Sequence, residues 1–141
     1  MNNQTKKSKQ RGVAAVELAL LMPLLILLID FVIEVGIVLH NQSVLLTSTS
    51  LAARAGIAAT DPKMSNSAIS LIALNYCTEH LISIASNSQP VVVVSQSNSP
   101  YFQRPLSVSA SYTFQGLFTS GFLSVINSDI EMQSTTVMYN E

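Results

Sequence analysis

VAAVELALLMPLLILLIDFVIEVGIVL, residues 13–39, is the stretch that decides the fold. A hydrocarbon core of about 30 Å takes roughly 20 helical residues to cross. This run is longer than that, and only Glu17, Asp30 and Glu34 carry charge within it. Lys6, Lys7, Lys9 and Arg11 precede it, and the next Lys or Arg is Arg54. That asymmetry predicts a cytoplasmic N-terminus, with the rest of the chain on the far side. A cleaved secretory signal is the competing reading. Its apolar region would be about 7–15 residues, with small residues close behind, whereas here the first such site is near Ala53 and Ala55.

Outside this run the composition suits an anchor and one small domain. The chain has 141 residues, of which 11% are charged, and a mean hydropathy of +0.40. Soluble chains carry about 25% charged residues. The net charge of -1 gives no general attraction to nucleic acid, so no nucleic-acid partner is expected. Cys77 is the only cysteine, which excludes an intramolecular disulfide. It reads as a small buried hydrophobe or as an intermolecular cross-link.

Downstream, helical periodicity continues. Val44, Leu45, Ser48, Leu51, Ala52 and Ala55 share one face. Ala52 with Gly56, and Ala55 with Ala59, give small-xxx-small spacing for close helix contact. Asp61-Pro62 reads as an N-cap and first helical residue of a second helix, about 63–85, burying Ile69, Ile72, Ala73, Tyr76 and Cys77. After Ser86-Asn87-Ser88-Gln89-Pro90, period-two patterns take over. Val91–Ser95 is one short strand. Leu106–Phe114 alternates cleanly, and Ile130–Tyr139 less regularly. Between the last two lies a long connection with Leu117, Phe118, Phe122 and Leu123. The predicted class is α+β: a long N-terminal membrane-spanning helix continuing into a domain with a second helix and a small antiparallel sheet. The expected divisions are a basic leader over 1–12, read as disordered, a spanning helix over 13–39 and an extracytoplasmic domain over 40–141.

The chemistry is expected at Arg11-Gly12-Val13-Ala14-Ala15-Val16-Glu17-Leu18. An acid in an apolar span costs on the order of 2.5–3.5 kcal/mol at mid-bilayer and less near the surface, so it calls for a partner. A cut after Gly12 would create one: the new amine on Val13, one turn from Glu17. Snorkelling to the interface is the simpler account of Glu17, but it leaves the glycine and the basic leader unexplained.

Basic leader, Gly12 and Glu17 together resemble the prepilin signal of type IV pilin-like proteins. The stretch RGVAAVELALLMPLLILLIDFVIEVG is similar to the TadE-like minor pilins, or pseudopilins, of the tight-adherence (Tad/Flp) pilus system. The similarity extends through Ser50-Leu51-Ala52-Ala53-Arg54-Ala55-Gly56 and is loose thereafter. Leu18 and Val35 depart from aromatic positions of that family, and the length departs from a major Flp pilin. The resemblance implies cleavage at Gly12–Val13 by a prepilin peptidase and recognition of Glu17. It also implies a pilin-like domain and partners among pilus subunits, an inner-membrane assembly platform and membrane lipid. An uncleaved envelope-binding protein and a type II secretion pseudopilin are the alternatives.

Asp30 and Glu34 share a helix face. They read either as an intramembrane contact to an assembly helix or as acids meeting headgroups at the outer edge of the span. Pro23 removes one helical hydrogen bond within it. Cys77-Thr78-Glu79-His80 gathers metal-capable side chains without zinc spacing, and His40 is far in sequence. No metal, cofactor or catalytic residue is expected, and the chain reads as a non-enzyme.

Overall fold

The computed structural model describes residues 4–58, 63–84, 88–96, 105–116 and 129–139, with side chains from Val13 onward. Five elements follow in order: α1 (Gln4–Ile57), α2 (Asn66–His80), β1 (Val91–Gln96), β2 (Pro105–Phe114) and β3 (Ile130–Tyr139). This is the α+β arrangement that the sequence predicts. At 1.5 Å per residue α1 is about 80 Å long. It already begins at Gln4, so the leader is helical from there rather than disordered. Gln, Lys and Arg are good helix formers, and no glycine or proline interrupts them before Gly12.

The sheet is a meander of order β1-β2-β3, antiparallel throughout. The upper half of α1 packs on β2 and β3, and α2 packs on α1 and β1, so both helices cover one face. Leu106, Val108, Ala110, Tyr112 and Phe114 point into that layer as the alternation requires. Two clusters form the core. Around Leu45 gather Cys77, Ala110, Tyr112, Phe114 and Met132, with Ile37, Val38 and Leu81 at their edge. Around Ala52 and Ala53 gather Ile69, Ala73, Leu106 and Val108. Burying one side chain of Phe114's size contributes about 1.5–3 kcal/mol.

The weaker alternation of β3 has a physical cause. Its inward positions include Ser134 and Thr136, whose hydroxyls meet Thr49 of α1 at 3.3 and 2.9 Å. Thr49 also donates to the Leu46 carbonyl at 3.0 Å. At these two positions a hydroxyl cluster therefore takes the place of the apolar contact that Leu45 and Met132 make between α1 and β3, and its members partner one another.

Close approach at Gly56 follows the small-residue pattern. A Cβ there would stand 2.5 Å from Leu106 Cδ2 and 2.8 Å from Ile69 Cδ1. Ala52 and Gly56 are buried, but Leu51 is exposed and Ala55 half-buried. Helix α2 starts later than expected because Ser65 caps it, accepting from the Ala68 N–H at 3.3 Å. Asp61-Pro62 and Ala59 lie outside the described residues. The helix also ends earlier, at His80 rather than near Ala85, because Asn41 takes over the backbone of Ile82. Ile69, Ala73 and Cys77 are buried, whereas Ile72 and Tyr76 are half-buried.

Candidate functional site

The candidate site is the lower half of α1 and the place where it enters the domain. Every residue from Val13 to Ile26 is exposed, and the most apolar part of the helix has a mean hydropathy of 2.6 with none of it buried. This segment adds nothing to the core. By length and composition it is able to cross a membrane. Gly12 and Val13 lie within the unbroken helix. Glu17, one turn further on, is exposed. Its height along the helix is about 25 Å below Glu34 at 1.5 Å per residue, so no described residue of the domain reaches it. Pro23 is also internal to the helix.

Asp30 and Glu34 have different surroundings. Asp30 is half-buried. Glu34 is only 5% exposed and faces the end of β2. A Cβ on Gly116 would lie 2.5 Å from both the Cδ and the Oε1 of Glu34. The carboxylate thus occupies the space that any side chain at 116 would need. Both residues make polar or ring contacts, as does Phe31 below them. No sequence pattern marks the pairing of Glu34 with Gly116, because it joins residues far apart in the chain. A glycine two residues past a strand was the available signal.

Two turns above Glu34, Asn41 is fully buried. Its Nδ2 donates to the Ile82 carbonyl at 2.9 Å, and its Oδ1 accepts from the Ile82 N–H at 2.9 Å. The side chain thereby acts as a strand-like partner for one residue of the α2–β1 connection. The apolar period of α1 does not mark Asn41, and sequence reading missed this role. Next to it His40 Nε2 lies 3.3 Å from the His80 carbonyl, and Gln42 Nε2 donates to the Gln133 carbonyl at 3.2 Å. Residues 40–42 therefore tie α1 to α2, to the following segment and to β3. His80 also stacks on Tyr76, with ring centroids 4.2 Å apart.

Cys77 is buried and its thiol donates to Ser48 Oγ at 3.2 Å. Burial pushes the thiol pKa up, an effect the Ser48 hydrogen bond partly offsets. Glu79 and His80 are exposed and do not converge on it. Among the described residues no group of three or more His, Cys, Asp or Glu could hold a metal ion. A cavity of about 220 Å³ lies beside Cys77, bordered also by Leu81, Ser83, Gln89 and Tyr112. Among the described residues, none partners the buried Tyr112 hydroxyl.

These features define a class: a helix long and apolar enough to serve as a membrane anchor, continuous with the spine of a small α+β domain. The family model described as "TadE-like protein" matches residues 12–54, from Gly12 through the apolar segment to Arg54 on the spine. No curated protein and no solved structure matches the chain.

Proposed function

We propose that the chain is a minor pilin, or pseudopilin, acting in assembly of a Tad (Flp) type IV pilus. In this reading a prepilin peptidase cuts after Gly12. The helix from Val13 to about Leu39 anchors the product in the inner membrane, and residues 40–141 form a periplasmic domain. The observation that carries the reading is the family match over 12–54, which begins at the glycine of the predicted cleavage junction. The basic residues at 6, 7, 9 and 11 support a cytoplasmic N-terminus. The exposed Glu17 supports a partner outside the domain. That partner is the Val13 amine, of the same subunit or of a neighbour in the pilus. The role is structural, with other pilus subunits and the assembly platform as partners, and it calls for no cofactor.

One observation favours the uncleaved anchor instead: α1 runs through Gly12–Val13 without a break. A peptidase needs an extended scissile segment, so the last helical turn of the leader has to open. Glycine eases this, being about 1 kcal/mol worse than alanine inside a helix. Intact mass of the membrane protein from cells expressing the peptidase decides between the two. Loss of Met1–Gly12 is expected, with Gly12→Val retaining it. A full-length mass in the native chain means an uncleaved anchor.

A further inference from the structure

We propose that α1 carries an outward seam by which two copies of this chain pair side by side, parallel and in register, with Gly36 at the point of closest approach. The inference rests on α1 being the membrane anchor, which fixes both copies in one direction, and it does not need the pilus role.

From Glu34 upward α1 has two stripes. Glu34, Asn41, Leu45, Ser48 and Ala52 are buried against the domain. Gly36, Leu39, Ser43 and Leu46 are exposed, and helical spacing puts them on the opposite side. They follow one another in steps of three, four and three residues, and the next step of four reaches Ser50, which is half-buried. Such alternation averages about 3.5 residues, the period at which parallel helices interlock their side chains. Large and small residues alternate along it, so a leucine of one helix finds room beside the glycine or serine of another. Leu39 is 66% and Leu46 57% exposed, although their neighbours His40, Gln42 and Ser43 are polar. The same steps lead down through Val32, Ile29 and Leu25, all exposed. There every face of the helix is apolar, so the seam is distinct only above Glu34.

Gly36 points the same way. Glycine inside a helix is unfavourable relative to alanine, so it needs a reason. At Gly56 and Gly116 the domain occupies the space that a side chain would take, whereas a Cβ on Gly36 would meet nothing within 4 Å. Among the described residues no contact calls for glycine at 36. The close approach of a second helix does.

The occupant must present an apolar face below Glu34 and a small, uncharged one above it. A second α1, anchored by the same run, does so at the same height. The seam from Val32 to Ser50 carries no charge, and Val35, His40, Gln42 and Thr47 beside it include no acid, lysine or arginine. Two copies therefore meet there without like charges facing each other.

The test is disulfide cross-linking of the full-length chain, purified and reconstituted alone in phospholipid vesicles. Two cysteines bridge when their Cα atoms lie about 4.4–6.8 Å apart. The native chain is the blank, because Cys77 is buried. Leu25→Cys, Leu39→Cys and Leu46→Cys should each give a covalent dimer on mild oxidation. Leu51→Cys and Leu71→Cys, exposed away from the seam, should give none. Self-linkage at all three seam positions requires parallel helices in register. Gly36→Leu, which meets open space in the single chain, should abolish the dimer of Leu39→Cys. Absence of linkage at 39 and 46 overturns the proposal, and so does equal linkage at 39, 51 and 71, which marks random collision. A dimer that survives Gly36→Leu overturns it as well. Alkaline carbonate separates the two readings. A chain that resists extraction but does not link leaves the anchor standing without the pair, whereas an extracted chain removes both.

Discussion

At the scale of single residues, Gly116 is constrained by what stands opposite it and not by its own backbone. Its missing Cβ leaves room for the Glu34 carboxylate. Gly116→Ala should cost about 1–3 kcal/mol, the usual range for overpacking. The double variant Glu34→Ala/Gly116→Ala should lose less than the sum of the single losses, because the two sites share one space. Urea unfolding of the detergent-solubilised chain measures both, and strict additivity would deny the contact. Cys77 gives a pH prediction. Its folded pKa is raised by burial, so the stability linked to its neutral thiol is present below the ordinary thiol pKa. That stability is lost as pH rises from there through the raised folded value. The native chain should weaken more steeply than Cys77→Ala in that window, and identical profiles would contradict it. That Cys77 is buried was legible from the apolar period of α2. The position of Glu34 was not, since period and charge place an acid on a helix face without saying what packs against it.

Among the elements, α2 shows how a tertiary contact overrides a local pattern. Nothing from Leu81 to Ala85 breaks a helix by composition, yet the helix stops at His80. Asn41 satisfies both backbone groups of Ile82 and so replaces the partners that a continued helix would have provided. Asn41→Ala should leave those groups unpaired and cost about 1–3 kcal/mol. Amide exchange at Ile82 should rise before exchange in the sheet does, and unchanged protection there would show that Asn41 is dispensable. The strands were legible almost to the residue, because period-two alternation reports burial directly. β3 was legible to the residue as well, and its weaker alternation has a reason now visible: two of its inward positions carry hydroxyls that pair with Thr49.

For the whole molecule, α1 divides into a part that belongs to the domain and a part that does not. Glu17 lies in the second part, so its substitution should spare the fold. Glu17→Ala should leave membrane insertion and domain stability unchanged, or aid insertion by removing a costly charge. Pilus-dependent adhesion should fall, with Glu17→Asp intermediate. Processing is checked first by mass, since a lost cut would imitate a lost assembly contact. Normal adhesion by a fully processed Glu17→Ala chain would strip Glu17 of an assembly role. The apolar helix was legible because one run of sequence holds it. How the domain meets that run depended on contacts between distant segments, at 34 with 116, 41 with 82 and 42 with 133. The same contacts make α1 behave as a drive shaft. With its upper half clamped on both sides by the sheet and α2, the domain has no joint about which to swivel independently of the anchor. A twist or an axial pull applied to α1 above Pro23 would pass directly to the sheet, so whatever held the helix there would also set the heading of the domain.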